Sequence, residues 1–245
     1  MSNPVNIIKC KNILTSTSKL LGLTLIGLLS GCEAILCSSM VNCFDPLGRA
    51  PHAPDIAYLE LKTPNYMDAH VFLVDKYYGK GHISTSITSK IIKTHTPGKL
   101  ADGWSPPVPS QKAPQYTNFD GLSKLPRQLS VEWTSLPENK AYRATIYLNH
   151  GIHRQIKSVV ETSCLQNGEP IRRKRNIITL ELAPQGKIRG WLSGSCLGAL
   201  EIGKNQGELI LQREVTEHLN YSLLTYDRGP MDRYIQAHGI PYSSW

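Results

Sequence analysis

Leu129-Ser-Val-Glu-Trp-Thr-Ser-Leu-Pro-Glu-Asn-Lys-Ala-Tyr-Arg-Ala-Thr-Ile-Tyr-Leu148 decides the fold. In its first half Val131 and Trp133 fall on one face, Ser130 and Glu132 on the other. In its second half Tyr142, Ala144, Ile146 and Leu148 share a face, opposed by Arg143, Thr145 and Tyr147. A period of two is that of a strand, whose successive side chains point to opposite faces. Pro137-Glu138-Asn139-Lys140 between the halves reads as a turn. The stretch is therefore a hairpin with one face buried, as in an antiparallel sheet packed on a second layer.

The same signal recurs on both sides. Ile178, Leu180 and Leu182 alternate against Thr179 and Glu181, turn at Pro184-Gln185-Gly186 and return along Lys187–Ser193. Leu197–Ile202 and Glu208–Val215 read as a third pair. Upstream, Ile56–Lys62 is rich in β-formers, Ala69–Tyr78 is a near-continuous apolar run, and His82–Lys93 is assigned to strand by its Ser/Thr content. Two short helices interrupt the strands. Ile152, Ile156, Val159 and Val160 recur at helical spacing. Pro230–His238 carries proline at its first position and Gly239 just past its end. Thr96–Pro126 holds six prolines among Trp104, Tyr116 and Phe119, and reads as a long loop laid over the sheet. Asn167–Arg175 reads as a polar turn carrying Arg172-Arg173-Lys174-Arg175, and Trp245 is expected to pack back on the domain. The expected fold is mostly β: a single antiparallel sandwich-like domain with two short helices.

That domain, residues 55–245, is preceded by a leader and a tether. Lys9, Lys11 and Lys19 precede the apolar run Leu20–Leu29, which is too short to span a bilayer and suits a signal segment. Leu29-Ser30-Gly31-Cys32 resembles the bacterial lipobox, with small residues where the peptidase approaches and a thiol where lipid attaches. Residues 1–31 are thus expected to be a lipoprotein signal peptide and Cys32 the acylated anchor in the bilayer. Residues 32–54, with Pro46, Gly48, Pro51 and Pro54, are the expected tether. Glu33 in place of aspartate fits the sorting pattern of an outer-membrane lipoprotein facing the periplasm.

The whole chain carries a formal charge of +8, but 24 basic against 19 acidic residues follow Gly31. That balance is too mild to argue for nucleic acid, while it permits weak attraction to an anionic bilayer. Four cysteines remain after Cys32: Cys37, Cys43, Cys164 and Cys196. In an oxidising compartment an even number suggests two disulfides. Local Cys37–Cys43 and cross-domain Cys164–Cys196 are the simplest of the three possible pairings.

From Leu125-Pro126 through Leu129-Ser130-Val131-Glu132-Trp133 to Glu138, Lys140 and Tyr142, and again at Ala183-Pro184-Gln185-Gly186-Lys187-Ile188-Arg189-Gly190-Trp191-Leu192, the chain resembles a family of bacterial lipoproteins, domain-of-unknown-function family 2931. Gly103-Trp104 and Pro64 fit the same layout; Gln185 and Pro137 depart from it. The resemblance brings no known activity. By analogy it implies an envelope protein of the general kind that serves as an immunity partner against toxins delivered by type VI secretion.

Candidate chemistry is sparse. Gly198-Ala-Leu-Glu-Ile-Gly203-Lys204-Asn205 nearly spells a phosphate-binding loop but lacks the hydroxyl that would ligate magnesium. His150 and His153 at i, i+3 have no acidic or thiol partner in sequence that would complete a metal site. Ser193-Gly194-Ser195 is not a nucleophile elbow. No catalytic residue, metal or cofactor is expected. The partner-binding candidates are Arg172, Arg173, Lys174 and Arg175, as a docking patch for an acidic partner or lipid headgroups, and Trp104 in the long loop. The sequence thus suggests a non-catalytic, membrane-anchored binding protein, in its most concrete form an immunity protein against a secreted effector such as a lipase. The alternative is a structural or assembly lipoprotein of the envelope.

Overall fold

The computed structural model describes residues 57–109, 120–122, 124–163, 170–210 and 225–245, all within the unit Pro54–Trp245. In chain order the strands are β1 (Ala57–Lys62), β2 (Ala69–Gly79), β3 (His82–Ile92), β4 (Asp120–Leu122), β5 (Gln128–Ser135) and β6 (Lys140–Tyr147). Helix α1 (His150–Lys157) follows, then β7 (Val159–Ser163), β8 (Pro170–Lys174), β9 (Ile177–Leu182), β10 (Lys187–Gly194), β11 (Leu197–Gln206), β12 (Glu208–Leu209) and helix α2 (Gly229–His238). One sheet has the order β11-β10-β9-β1-β4, the other β12-β6-β5-β2-β3, and β7 and β8 form a separate ribbon.

The stretch Leu129–Leu148 contributes most of β5 and β6, paired Leu129 with Ile146, Val131 with Ala144 and Trp133 with Tyr142. Their inward face meets Ile178, Leu180 and Leu182 of β9 and Ile188 and Leu192 of β10 in one core between the two sheets. Trp133 is fully buried there. Glu138 joins the turns of the two hairpins: it accepts from the Tyr142 hydroxyl at 3.3 Å and from the Gln185 amide at 2.9 Å. Burial, with the Glu138 charge beside it, pushes the Tyr142 phenol up to about 12.

In β2 a bulge between Val71 and Leu73 shifts the alternation, so that Val74 rather than Leu73 joins Ala69 and Val71 on the core face, while Phe72 stays on the other. Ala69, Val71 and Val74 enter the main core, while Phe72 packs with Ala141 and Ile210 outside it. The run is apolar throughout because each face of β2 is covered by its own cluster.

The sheets are mostly antiparallel, as expected, with β1 running parallel to β9. Four features differ from the sequence reading. The stretch Thr96–Pro126 is not all loop, because β4 lies within it and pairs with β1. Helix α1 stops at Lys157 and Val159–Val160 begin a strand. The β-branched valines fit an extended backbone once Ser158 has left helical geometry. Among the described residues the expected third hairpin does not form: β11 pairs with β10, β12 crosses to β6, and 211–215 of the expected partner strand lie outside the described residues. Gly207 makes the crossing possible, since a Cβ there would lie 2.4 Å from the Arg143 carbonyl oxygen. Finally, Arg172, Arg173 and Lys174 lie on a strand, not a turn.

Candidate binding surface

The segment bearing Trp104 and Ser105, within the predicted loop, lies on the outer face of the sheet that contains β9, and β1 and β9 beneath it supply its fastening. Glu181 projects outward from β9 because the inward positions go to Ile178, Leu180 and Leu182, yet it is fully buried under the segment. Both its oxygens accept from the Ser105 amide at 3.0 Å, and one accepts from Trp191 Nε1 at 3.4 Å. Lys62 Nζ donates to the Ser105 carbonyl at 3.2 Å. Burial pushes the Glu181 carboxyl above its ordinary range, against the Ser105 amide, Lys62, Trp191 and Arg189, which favour the charged form.

Beside this anchor the Arg189 guanidinium lies 5.7 Å from the Trp104 ring centre and 4.9 Å from that of Trp191. Its Nη2 donates to Glu201 at 2.5 Å. Trp191 is buried and Trp104 half-buried. The result is a cation layered against two indoles at the surface, held from below by a buried carboxylate. Arg–Trp layers of this kind are concentrated at recognition hot spots.

A second polar centre was not legible in sequence. The Asp68 carboxylate is fully buried and meets His95 Nε2 at 2.8 and 3.0 Å. It also accepts from the Tyr226 hydroxyl. Burial raises the Asp68 carboxyl despite Tyr226, His95 and Lys93, and burial with the Asp68 charge raises the Tyr226 phenol. Tyr66, at φ 58°, lays its ring between His95 (5.0 Å) and Tyr234 of α2 (4.5 Å), and Tyr234 reaches His238 at 4.7 Å. The Ala101 amide donates to the Tyr234 hydroxyl at 2.6 Å. This centre fastens α2 and residues 226–228 to the β1–β2 connection. The only local signal was Tyr234 and His238 at i, i+4 on the predicted helix.

The remaining candidates are scattered. Trp104 joins the layer just described. Arg172, Arg173 and Lys174 lie on β8, and Arg175 Nε donates to the Gly198 carbonyl at 3.2 Å. Cys196 sits in the β10–β11 turn at φ 61°. Cys32, Cys37, Cys43 and Cys164 lie outside the described residues, as do the leader and the tether. His153 Nε2 meets the Pro126 carbonyl at 2.9 Å, and His150 stands edge-on to it with ring centres 6.3 Å apart. The near phosphate-loop motif is strand β11. Among the described residues no group of three or more His, Cys, Asp or Glu side chains is placed to hold a metal.

A family model described as a protein of unknown function, DUF2931, matches residues 63–243. Comparison with curated proteins and with solved structures gives no match.

Proposed function

The chain belongs to the DUF2931 family of proteins of unknown function, and we propose that it is a membrane-anchored, non-catalytic binding protein facing the periplasm. The Trp104–Arg189–Trp191 layer carries this reading, because Glu181 fastens both of its sides: it bonds Ser105 beside Trp104, and it accepts from the Trp191 indole on β10. A rigid aromatic and guanidinium surface binds with little ordering cost. The lipobox at Leu29–Cys32 supplies the membrane address and residues 32–54 the reach. In its most concrete form the partner is a secreted antibacterial effector such as a lipase, and the protein is its immunity factor.

The same reading pairs Cys164 with Cys196. It is supported by the disulfide-bonded state of Cys196 and by Thr162 Oγ1, which reaches the Cys196 carbonyl at 3.4 Å two residues before Cys164.

The test is protection. Cells producing an effector encoded beside this gene should survive when the chain is present. Trp104→Ala with Arg189→Ala should abolish survival and weaken binding of the purified effector about thirtyfold or more, the loss of about 2 kcal/mol typical of a hot spot. Absence of protection and of effector binding sinks the immunity reading. A barrier defect on deletion would then assign the protein to envelope assembly.

A further inference from the structure

Helix α1 delivers Arg154 and Lys157 in its last turn and leads directly into β7, which pairs with β8. Val159 stands opposite Lys174, Val160 opposite Arg173 and Glu161 opposite Arg172. Arg175 follows at the end of β8 and ties that end to β11 through Gly198. Among the described residues of 154–163 and 170–175 there are six basic side chains and a single acid, Glu161. Arg154, Lys157, Arg172 and Arg173 are exposed. Val159, 38% exposed, shares its ribbon face with Lys174 and Arg172. The ribbon is braced by Lys174, whose carbonyl closes over Gly194 where a Cβ would lie 2.2 Å away.

We infer that this helix end and ribbon form a docking surface for an anionic bilayer, distinct from the Trp104 layer. Cations alternating with a small apolar side chain on a braced ribbon suit a headgroup plane, where phosphates meet the charges and Val159 reaches the interface. The inference rests on the membrane-anchored reading only in its choice of a bilayer over an acidic protein. A tether of 22 residues (33–54) would span about 70 Å if fully extended, so an anchored domain always has a bilayer within reach. The ribbon would then set which face the domain turns towards it.

The test uses the full chain with Cys32→Ser, so that no acyl group contributes, and vesicles of phosphatidylglycerol and phosphatidylcholine against phosphatidylcholine alone. Partition onto the anionic vesicles should be at least about tenfold stronger and should disappear in about 0.5 M salt, as screening requires. Arg172→Gln with Arg173→Gln should weaken it about tenfold or more, each basic side chain near such a surface contributing about a fivefold factor. If that pair lowers the melting temperature, Arg154→Gln with Lys157→Gln on the exposed helix turn replaces it. Equal partition onto both vesicle types, or a loss-free variant in both pairs, overturns the inference. So does binding to an acidic polymer such as heparin without binding to anionic vesicles, which would assign the ribbon to an acidic macromolecule. Because no effector takes part, failure here leaves the protection test standing, and the reverse.

Discussion

Glu181 and Ser105, 76 residues apart, are joined by the carboxylate whose two oxygens both lie 3.0 Å from one backbone nitrogen. The bond fixes the segment bearing Trp104. Glu181→Ala leaves the Ser105 amide and the Trp191 indole without their acceptor, at a cost of about 2 kcal/mol. The expected melting temperature falls by about 5 °C. Limited proteolysis should also begin to cut within 101–109, while Glu181→Gln, which keeps an acceptor, should lose less. Unchanged resistance to protease in Glu181→Ala would show that the segment is held by something else.

Asp68 sets a pH dependence. Its carboxyl is raised in the fold by burial above the ordinary 3.8. The folded chain therefore holds that proton more tightly than the unfolded one, and the linked stability is present below 3.8 and is lost as pH rises through the folded-state value. Relative to Asp68→Asn, the parent should gain stability on acidification from about pH 7 to about pH 4, measured by urea denaturation. The opposite trend would mean that the His95 pairing outweighs burial.

Gly186 is held at φ 71°, and a Cβ there would lie 2.6 Å from Tyr142 Cδ1. Gly186→Ala should cost about 2 kcal/mol or more, through left-handed strain and displacement of the Tyr142 ring. Gly198→Ala is the contrast, since nothing lies within 4 Å of a Cβ built there. Calorimetry that found the two alike would refute the packing argument.

Helix α1 starts on Asn149, whose Oδ1 accepts from the Ile152 amide at 3.0 Å. Asn149→Ala should cost about 1 kcal/mol. Because Ile152 and Ile156 carry the helix into the main core, the loss should register as a lower global denaturation midpoint. A change confined to local circular dichroism would count against that coupling.

Features written in short-range periodicity were legible in the sequence. The β5–β6 and β9–β10 hairpins, with their inward faces, follow from alternation that needs only neighbouring residues. Trp104 was recognisable as an aromatic in a proline-rich loop, but Arg189 and Glu181 read only as one charged position in each of two strands. Nothing local announces that Arg189 meets Trp104 or that Glu181 bonds Ser105 beside it. Asp68 is 27 residues from His95 and 158 from Tyr226, distances over which no pattern operates. The Arg172–Lys174 run misled because charge resembles a turn, and its strand character comes from the β7 partner. Val159 and Val160 misled because positions i+7 and i+8 satisfy a helix until Ser158 ends it.

The parallel contact of β1 with β9 has a consequence in time. The β2–β3 and β5–β6 hairpins can zip as soon as they leave the ribosome, since each closes over a short turn. β1 cannot. Its neighbours in the finished sheet are β4 and β9, and Thr179, 119 residues on, bonds Glu60. A chain made from its amino end must therefore keep Leu59 waiting for Asp120 of β4 and, longer still, for Ile178 of β9. Long loop closures of this kind slow folding. β1 is thus made before every other described strand of its sheet and gains its β9 neighbour only after both of those hairpins are complete.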